Sequence, residues 1–299
     1  MRLNRGNTWA AGLLGGHVLL TLFASLAFAT ILSGAPPAWL QAEPNLSVYR
    51  WSWKLSGPLV VLLGAAATWL HANMRFGFRR STLIFLAARA VALSAETLGT
   101  TTGYPFGAYE YTTLLGFRLF GRVPYPIPIS WYFMLYASLA ITGRLLRADD
   151  SNGGRWRWAA AAGVVLTLWD VSMDPAMVAT AHWVWHVPGF FYGMPLSNWI
   201  GWLLTGTVVA RVMLALVPPT TWRDRVSPSR FPLVLYGING LMPIVICFSR
   251  GLTGAAVLGA LAMALPLAGS IWRNRTSDSG IGIRIRNSKR MAEMAVETT

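Results

Sequence analysis

Residues 158–216 read WAAAAGVVLTLWDVSMDPAMVATAHWVWHVPGFFYGMPLSNWIGWLLTGTVVARVMLAL. Two apolar runs, 158–173 and 199–216, bracket a segment of different character. From 169 to 202 the chain holds Asp170 and Asp174 four residues apart, His182 and His186 four apart, five tryptophans, Asn198, and no lysine or arginine. Each flanking run is close to the length a helix needs to cross a hydrocarbon core. Working outward, similar runs lie at about 9–32, 55–70, 81–100, 129–146, 231–248 and 252–271, which makes eight. The chain is 54% hydrophobic and 12% charged, the latter about half the usual share of a soluble domain. These features define an all-α polytopic membrane protein, a bundle of about eight transmembrane helices. It forms one domain over 1–271, followed by a basic, disordered tail over 272–299.

The stretches between the runs refine this outline. Residues 33–54 read as a loop whose Tyr49, Trp51 and Trp53 suit the membrane interface. Residues 101–128 are rich in glycine and proline yet apolar at 114–120. Non-helical backbone at membrane depth is tolerated only inside protein or beside a cavity, so a re-entrant or folded-in loop is expected there. Ala27-Phe28-Ala29 fits a signal-peptide cleavage site, but the first run exceeds the usual apolar length of such peptides. An uncleaved first helix is the preferred reading, with His17 packed inside it.

The net charge of +14 is placed between the runs and in the tail. That placement suits topology and anionic lipid, not nucleic acid. With eight spans both termini share a side, and nineteen of the 25 basic residues fall there, against five on the other side and Arg89 within the membrane. The bias places both termini in the cytoplasm of a multi-pass cell-membrane protein. It also brings Glu96, the 101–128 loop and the 169–202 segment to the non-cytoplasmic end. The lone cysteine, Cys247, lies in an apolar run and reads as a core residue.

Of eleven acidic residues, only Glu96, Glu110, Asp170 and Asp174 sit in or beside the runs. An aspartate at a helix centre costs roughly 2.5–3.5 kcal/mol on insertion scales, so several of them imply a cavity, pairing or protonation. A buried carboxylic acid that keeps its proton is what a proton donor to an alkene requires. Asp170 and Asp174 share a helix face if the helix persists to Pro175; solvated carboxylates at a helix end are the plain alternative. Glu96 has its own alternative, an ion pair with Arg89 two turns earlier. Glu110 reads as structural or rim. His182 and His186 with the aspartates offer metal ligands, but the chain has four histidines in all. Orientation of a carboxylate or water is the favoured role, and no metal is expected. Trp169, Trp183, Trp185, Trp199 and Trp202 crowd a stretch poor in cations, where an indole face can stabilise positive charge. Phosphate loops, nucleophile elbows and diphosphate-binding acidic motifs are not found.

Four blocks, ETLGTTTGYPFGAYEYT (96–112), VPYPIPISWYFMLY (123–136), WDVSMDPAM (169–177) and FYGMPLSNWIGW (191–202), occur in this order. The chain thereby resembles, over about 55–270, the membrane carotenoid-biosynthesis family that includes the CruF-type carotenoid 1,2-hydratases and the bisanhydrobacterioruberin hydratases. The resemblance implies addition of water to the terminal C=C of an acyclic carotene end, as in lycopene or γ-carotene, giving a 1-hydroxy group without a cofactor. The polyene would enter sideways from the bilayer, and other carotenoid-biosynthesis enzymes are implied as partners. On this reading Asp174 or Asp170 donates the proton, and its partner or Glu96 acts as base. Tyr109, Tyr111, Asn198 and His182 position water and carboxylates, while Trp169, Trp183, Trp202 and Arg89 complete the substrate site. The rival class is a proton-coupled transporter or carrier of a lipophilic molecule, although no internal repeat of the kind common in transporters is visible. A non-catalytic scaffold for carotenoid enzymes is a third.

Overall fold

The structure, a computed structural model, describes residues 5–31 and 37–273. The tail expected from 272 onward lies outside the described residues beyond Arg273. Helix α1 spans Arg5–Thr30 and is followed by the single turn α2, Ala38–Gln41. Then come α3 (Asn45–Phe76), α4 (Phe78–Thr102), α5 (Pro126–Leu145), α6 (Asn152–Ala179), α7 (Leu196–Leu216), the short α8 (Pro219–Arg225), α9 (Phe231–Ser249) and α10 (Thr253–Arg273). Seven of these, α1, α3, α4, α6, α7, α9 and α10, are long and apolar enough to cross a membrane. The chain is an all-α polytopic membrane protein.

The eighth long helix, α5, explains itself by position. It packs against α3, α4, α6, α7, α8 and α9, and nearly its whole surface is buried, including Trp131, Tyr132, Tyr136, Ser138 and Thr142. A helix sheathed by other helices need not match the apolarity of lipid. Two of its polar aromatic side chains find partners inside the bundle, the Trp131 indole at Glu96 and the Tyr136 hydroxyl at His71. Around it, α1 lies on α3 and α9, and α6 pairs with α7. The α6–α7 contact is close because Gly163 and Gly206 face each other. A Cβ on Gly163 would stand 2.6 Å from Thr207 Oγ1, and one on Gly206 would stand 3.4 Å from the Gly163 Cα. Such small-residue seams let helix backbones approach where no hydrophobic force drives them together.

Helices α3 and α6 are longer at both ends than the apolar runs that announced them. Residues 45–54, read as loop, are the first turns of α3, which starts at Asn45 and runs unbroken through Pro58. Aromatic and polar residues at a membrane interface are equally at home on a helix end, so composition there did not mark a break. Likewise α6 does not stop near Pro175. It starts at Asn152, where the Ser151 hydroxyl accepts the Gly154 N–H at 3.0 Å as an N-cap, and continues to Ala179. A proline one turn from a helix end removes one hydrogen bond and leaves the rest of the turn intact.

The 101–128 segment folds onto one end of the bundle. Strand β1 (Tyr109–Tyr111), a 3-10 turn (Thr113–Leu115), β2 (Arg118–Leu119) and β3 (Val123–Pro124) lie within it. β2 pairs with β3, while β1 pairs antiparallel with β4 (Trp183–Trp185) from the α6–α7 connection. Phe106 anchors the segment between α4 and α7. A Cβ on Gly99 would lie 2.7 Å from its ring and one on Gly201 2.5 Å away, so both glycines are the space the ring fills.

Candidate active site

The β1–β4 pair is the roof of the site. Its register sets Tyr109 opposite Trp185, Glu110 opposite Val184 and Tyr111 opposite Trp183. Strand alternation then divides the residues between two faces. Tyr109, Tyr111, Trp183 and Trp185 point into the bundle, whereas Glu110 and Val184 point out. Thr112 ties the roof to the end of α6, its hydroxyl donating to the Ala181 carbonyl at 2.8 Å. The ring pairs Tyr109–Trp185 and Tyr111–Trp183 have centroids 5.2 and 5.7 Å apart.

Beneath the roof, α4 presents Glu96, 3% exposed. Its Oε2 accepts the Tyr109 hydroxyl at 2.5 Å and the Tyr111 hydroxyl at 2.8 Å, and its Oε1 accepts the Trp131 indole N–H at 3.0 Å. Burial, reinforced by the Glu96 charge, pushes both phenols far above their ordinary range. They therefore remain O–H donors at any physiological pH. Three donors converge on this one carboxyl group and fix its orientation. The alternative weighed for Glu96, an ion pair with Arg89, does not form. The Arg89 guanidinium lies 5.2 Å over the Phe85 ring, outside the site.

Helix α6 contributes the aspartates. Because it runs through Pro175, Asp170 and Asp174 share a face and are both buried. Their carboxyl groups are neighbours that share one donor, the Asn198 amide. Asn198 of α7 holds the pair: its side-chain amide donates to Asp170 Oδ2 at 2.9 Å and to Asp174 Oδ2. The second Asp170 oxygen, Oδ1, is buried without a partner, and the Trp183 indole is directed at Asp174.

Glu96 and Asp174 face a common cavity of about 420 Å³. Asn198, His182, Tyr109, Tyr111, Trp169, Trp183 and Trp202 line it, as do Trp131 and Trp185. Asp170 stands behind Asp174, outside the lining. Three indoles make one wall: Trp131 stacks on Trp202 at 4.6 Å and 23°, and Trp169 meets Trp202 edge-on at 5.8 Å. Trp169 is locked by its N–H, which donates to the Asn239 carbonyl of α9 at 2.9 Å. From there the cavity runs between α1 and α3 to Phe23, Trp39 and Val48, each more than half exposed.

His182 sits at the rim in a defined tautomer. The Thr180 hydroxyl donates to the Ala176 carbonyl at 2.8 Å and lies 2.8 Å from His182 Nδ1. With that proton committed, Nδ1 must be the donor, which leaves Nε2 bare. Desolvation lowers the His182 pKa to about 4, so the ring is neutral at physiological pH. His186, on the far side of β4, is exposed; the helical spacing anticipated for the two histidines is replaced by a strand. Among the described residues no three His, Cys, Asp or Glu side chains are grouped to hold a metal.

The structure thus brings together Glu96, Asp174, Asp170, Asn198, Tyr109, Tyr111, His182, Trp169, Trp183 and Trp202, and leaves out Arg89. Sequence reasoning missed Trp131 and Asn239. Both lie in apolar runs where nothing local sets a site residue apart. The only available signal was Trp131's place in the ISWYFMLY block, a tryptophan in a run that also carries two tyrosines.

Residues 56–266 match the family model described as carotenoid biosynthesis protein. A bisanhydrobacterioruberin hydratase from Haloarcula japonica is 33% identical over 130 residues, which is 44% of this chain and 43% of that protein. The chain therefore matches less than half the length of that relative. No solved structure matches. The matched segment contains both strands of the roof, all three carboxylates and the indole wall, and the chain belongs to the carotenoid biosynthesis protein family.

Proposed function

We propose that this chain is a hydratase acting on the terminal C=C of an acyclic carotenoid end group, of the lycopene or γ-carotene type, and forming the 1-hydroxy product. The observation that carries the reading is the shared cavity. A carboxyl group able to carry a proton (Asp174) and a carboxylate held by three donors (Glu96) face one apolar chamber walled by indoles. The hydratase named among the relatives supports the same reaction class.

Asp174 gives its proton to C2 of the terminal alkene, and the tertiary cation forms at C1. Glu96 and the faces of Trp131 and Trp202 stabilise it, an indole face contributing about 2 kcal/mol when desolvated. Water captures C1, and its surplus proton passes to Glu96, helped by the bare Nε2 of His182 at the rim. Return of that proton to Asp174 through cavity water restores the site. One water is consumed, and the alkene gains one hydrogen and one hydroxyl. No oxidation state changes overall, so the reaction calls for no redox cofactor. Asp170 and Asn198 act through Asp174, fixing the orientation of its carboxyl group at the cavity wall.

In this proposal the protein resides in the cell membrane with both termini in the cytoplasm, so that the roofed end faces outward. Carotenoid arrives from the bilayer, supplied by enzymes that make acyclic carotenes. The test is expression in a lycopene-producing host grown in ¹⁸O-water. A hydroxylated carotene that carries the label from water is the expected product. Label taken from molecular oxygen, or no hydroxylated product, overturns the proposal.

A further inference from the structure

We propose that the groove between α1 and the first half of α3 binds the unreacted polyene of a long carotenoid and sets the enzyme's preference for chain length. The inference rests on the hydratase reading for the identity of the reacting end. A cavity of about 420 Å³ is at the small end of the range for drug-sized ligands. It is smaller than a whole C40 carotenoid, so part of the chain must leave by the opening.

The opening shares part of its lining with a second cavity. A groove of about 420 Å³ runs along the outside of α1 and α3. Phe23, Val48, Ser52 and Ser56 line both spaces, which makes these four residues the throat. Beyond it the groove extends to Leu20 on α1 and Leu59 on α3. Residues 48–59 of a helix cover about 16 Å, a useful length for an extended polyene and an exposed one on a lipid-facing surface. Its lining is apolar apart from serine hydroxyls. The small serines on α3 leave a slot between the bulkier Phe23 and Val48, and a flat, rigid conjugated chain fits such a slot with little loss of conformational entropy.

The placement has a consequence for specificity. The family match begins at residue 56, so α1 and the first eleven residues of α3 precede it. The carboxylates and indoles belong to the matched segment, while the throat is built mainly by what lies before it. Reaction type and chain-length preference are therefore assigned to different parts of the chain. An acyl chain of membrane lipid is the competing occupant of the same groove.

The experiment uses the full chain in lipid nanodiscs as wild type, Ser52→Trp, Ser56→Trp and the control Leu62→Trp, which lies on α3 outside both cavities. Lycopene binding is read as induced circular dichroism in the polyene absorption band. Turnover is read on lycopene and on myrcene, a C10 hydrocarbon with the same terminal alkene. Plugging the throat is expected to abolish the induced signal and cut lycopene turnover about tenfold or more. Myrcene turnover should fall several-fold less than lycopene turnover, and the control should match wild type. Equal losses on both substrates, unchanged lycopene turnover and signal in the throat variants, or no induced signal in wild type each overturn the groove assignment. An unchanged signal with normal turnover would leave the groove to lipid. An induced signal lost in the throat variants, together with no hydration of either substrate by wild type, would keep the groove and sink the hydratase reading. Ser52→Leu, a smaller plug on an exposed position, keeps the test open if the tryptophan variants do not fold.

Discussion

Polar side chains are buried at both ends of the bundle, and the two ends treat them differently. At the end opposite the roof, His71 of α3 bridges Tyr136 and Ser229, with Nδ1 2.7 Å from the phenol and Nε2 3.1 Å from the hydroxyl. Its ring stacks on Phe231 at 4.3 Å and 4°. Arg144 caps the same region, donating to the carbonyls of Ser227, Pro228 and Ser229. None of these groups borders the cavity. At the roofed end the carboxyl groups are also held by donors, yet Glu96 and Asp174 each keep a face on open space. Polar groups that fill one another's needs and the volume between them fix the packing. Polar groups that are oriented but left facing a void are arranged for something that enters it.

The largest effect expected from this contrast is at Asp174. Asp174→Asn keeps the shape and the contact with Asn198 but removes the transferable proton. Hydration should fall about 10³-fold, within the range for loss of a general acid, with the protein still folded. Asp170→Asn should cost less, about tenfold to a hundredfold, because Asp170 acts on Asp174 and does not face the cavity. The measurement is product formed per folded molecule. If the two variants exchange their effects, Asp170 is the donor. If both retain full activity, the roofed end is no more catalytic than the other.

Much of this contrast is legible in the amino-acid sequence. The eight apolar runs gave the helices, and the topology they imply carried Glu96, the 101–128 segment and the 169–202 segment to one end. Spacing put Asp170 and Asp174 on one face, conditional on a helix that the structure does continue through Pro175. The roof was not legible. Its pairing joins Tyr109–Tyr111 to Trp183–Trp185 across more than seventy residues, and three-residue strands carry too little periodicity to declare a partner. Hence the partners of Glu96 were sought along its own helix, at Arg89, when the real donors come from β1 and α5. The cavity's mouth was hidden for a similar reason. Ser52 stands in what composition presented as interfacial loop and Ser56 at the very start of the next apolar run, and only the helical register of α3 turns them toward α1.

The opposite end supplies the second, smaller effect. His71→Ala removes two buried hydrogen bonds and a ring stack, leaving Tyr136 and Ser229 short of a partner. A loss of about 2–3 kcal/mol of stability is expected, read as a lower thermal midpoint in detergent or nanodiscs. Turnover per folded molecule should stay within about twofold of wild type. A selective loss of turnover without loss of stability would break the division between the two ends.

The smallest expected effect concerns His182, the titratable group on the rim, and it sharpens the contrast by asking how dry that rim is. In the unfolded chain the ring titrates near 6.5, whereas desolvation lowers it to about 4 in the folded protein. Between those values the unfolded state binds more protons, so stability is present above pH 6.5 and is lost as pH falls toward 4; below that both states are protonated and the loss stops. His182→Gln retains a group able to meet Thr180 but does not titrate. On going from pH 7 to 4.5 the wild type should therefore lose about 1 kcal/mol more stability than the variant, a figure reduced for solvent at the cavity rim. Parallel thermal melts of the two proteins over this range are the measurement, because the other titrating groups are common to both and cancel. Equal losses would mean that water reaches Nε2 freely. The chamber under the roof would then be wet at its edge, and the bare nitrogen no better placed to steer a captured water than any surface histidine.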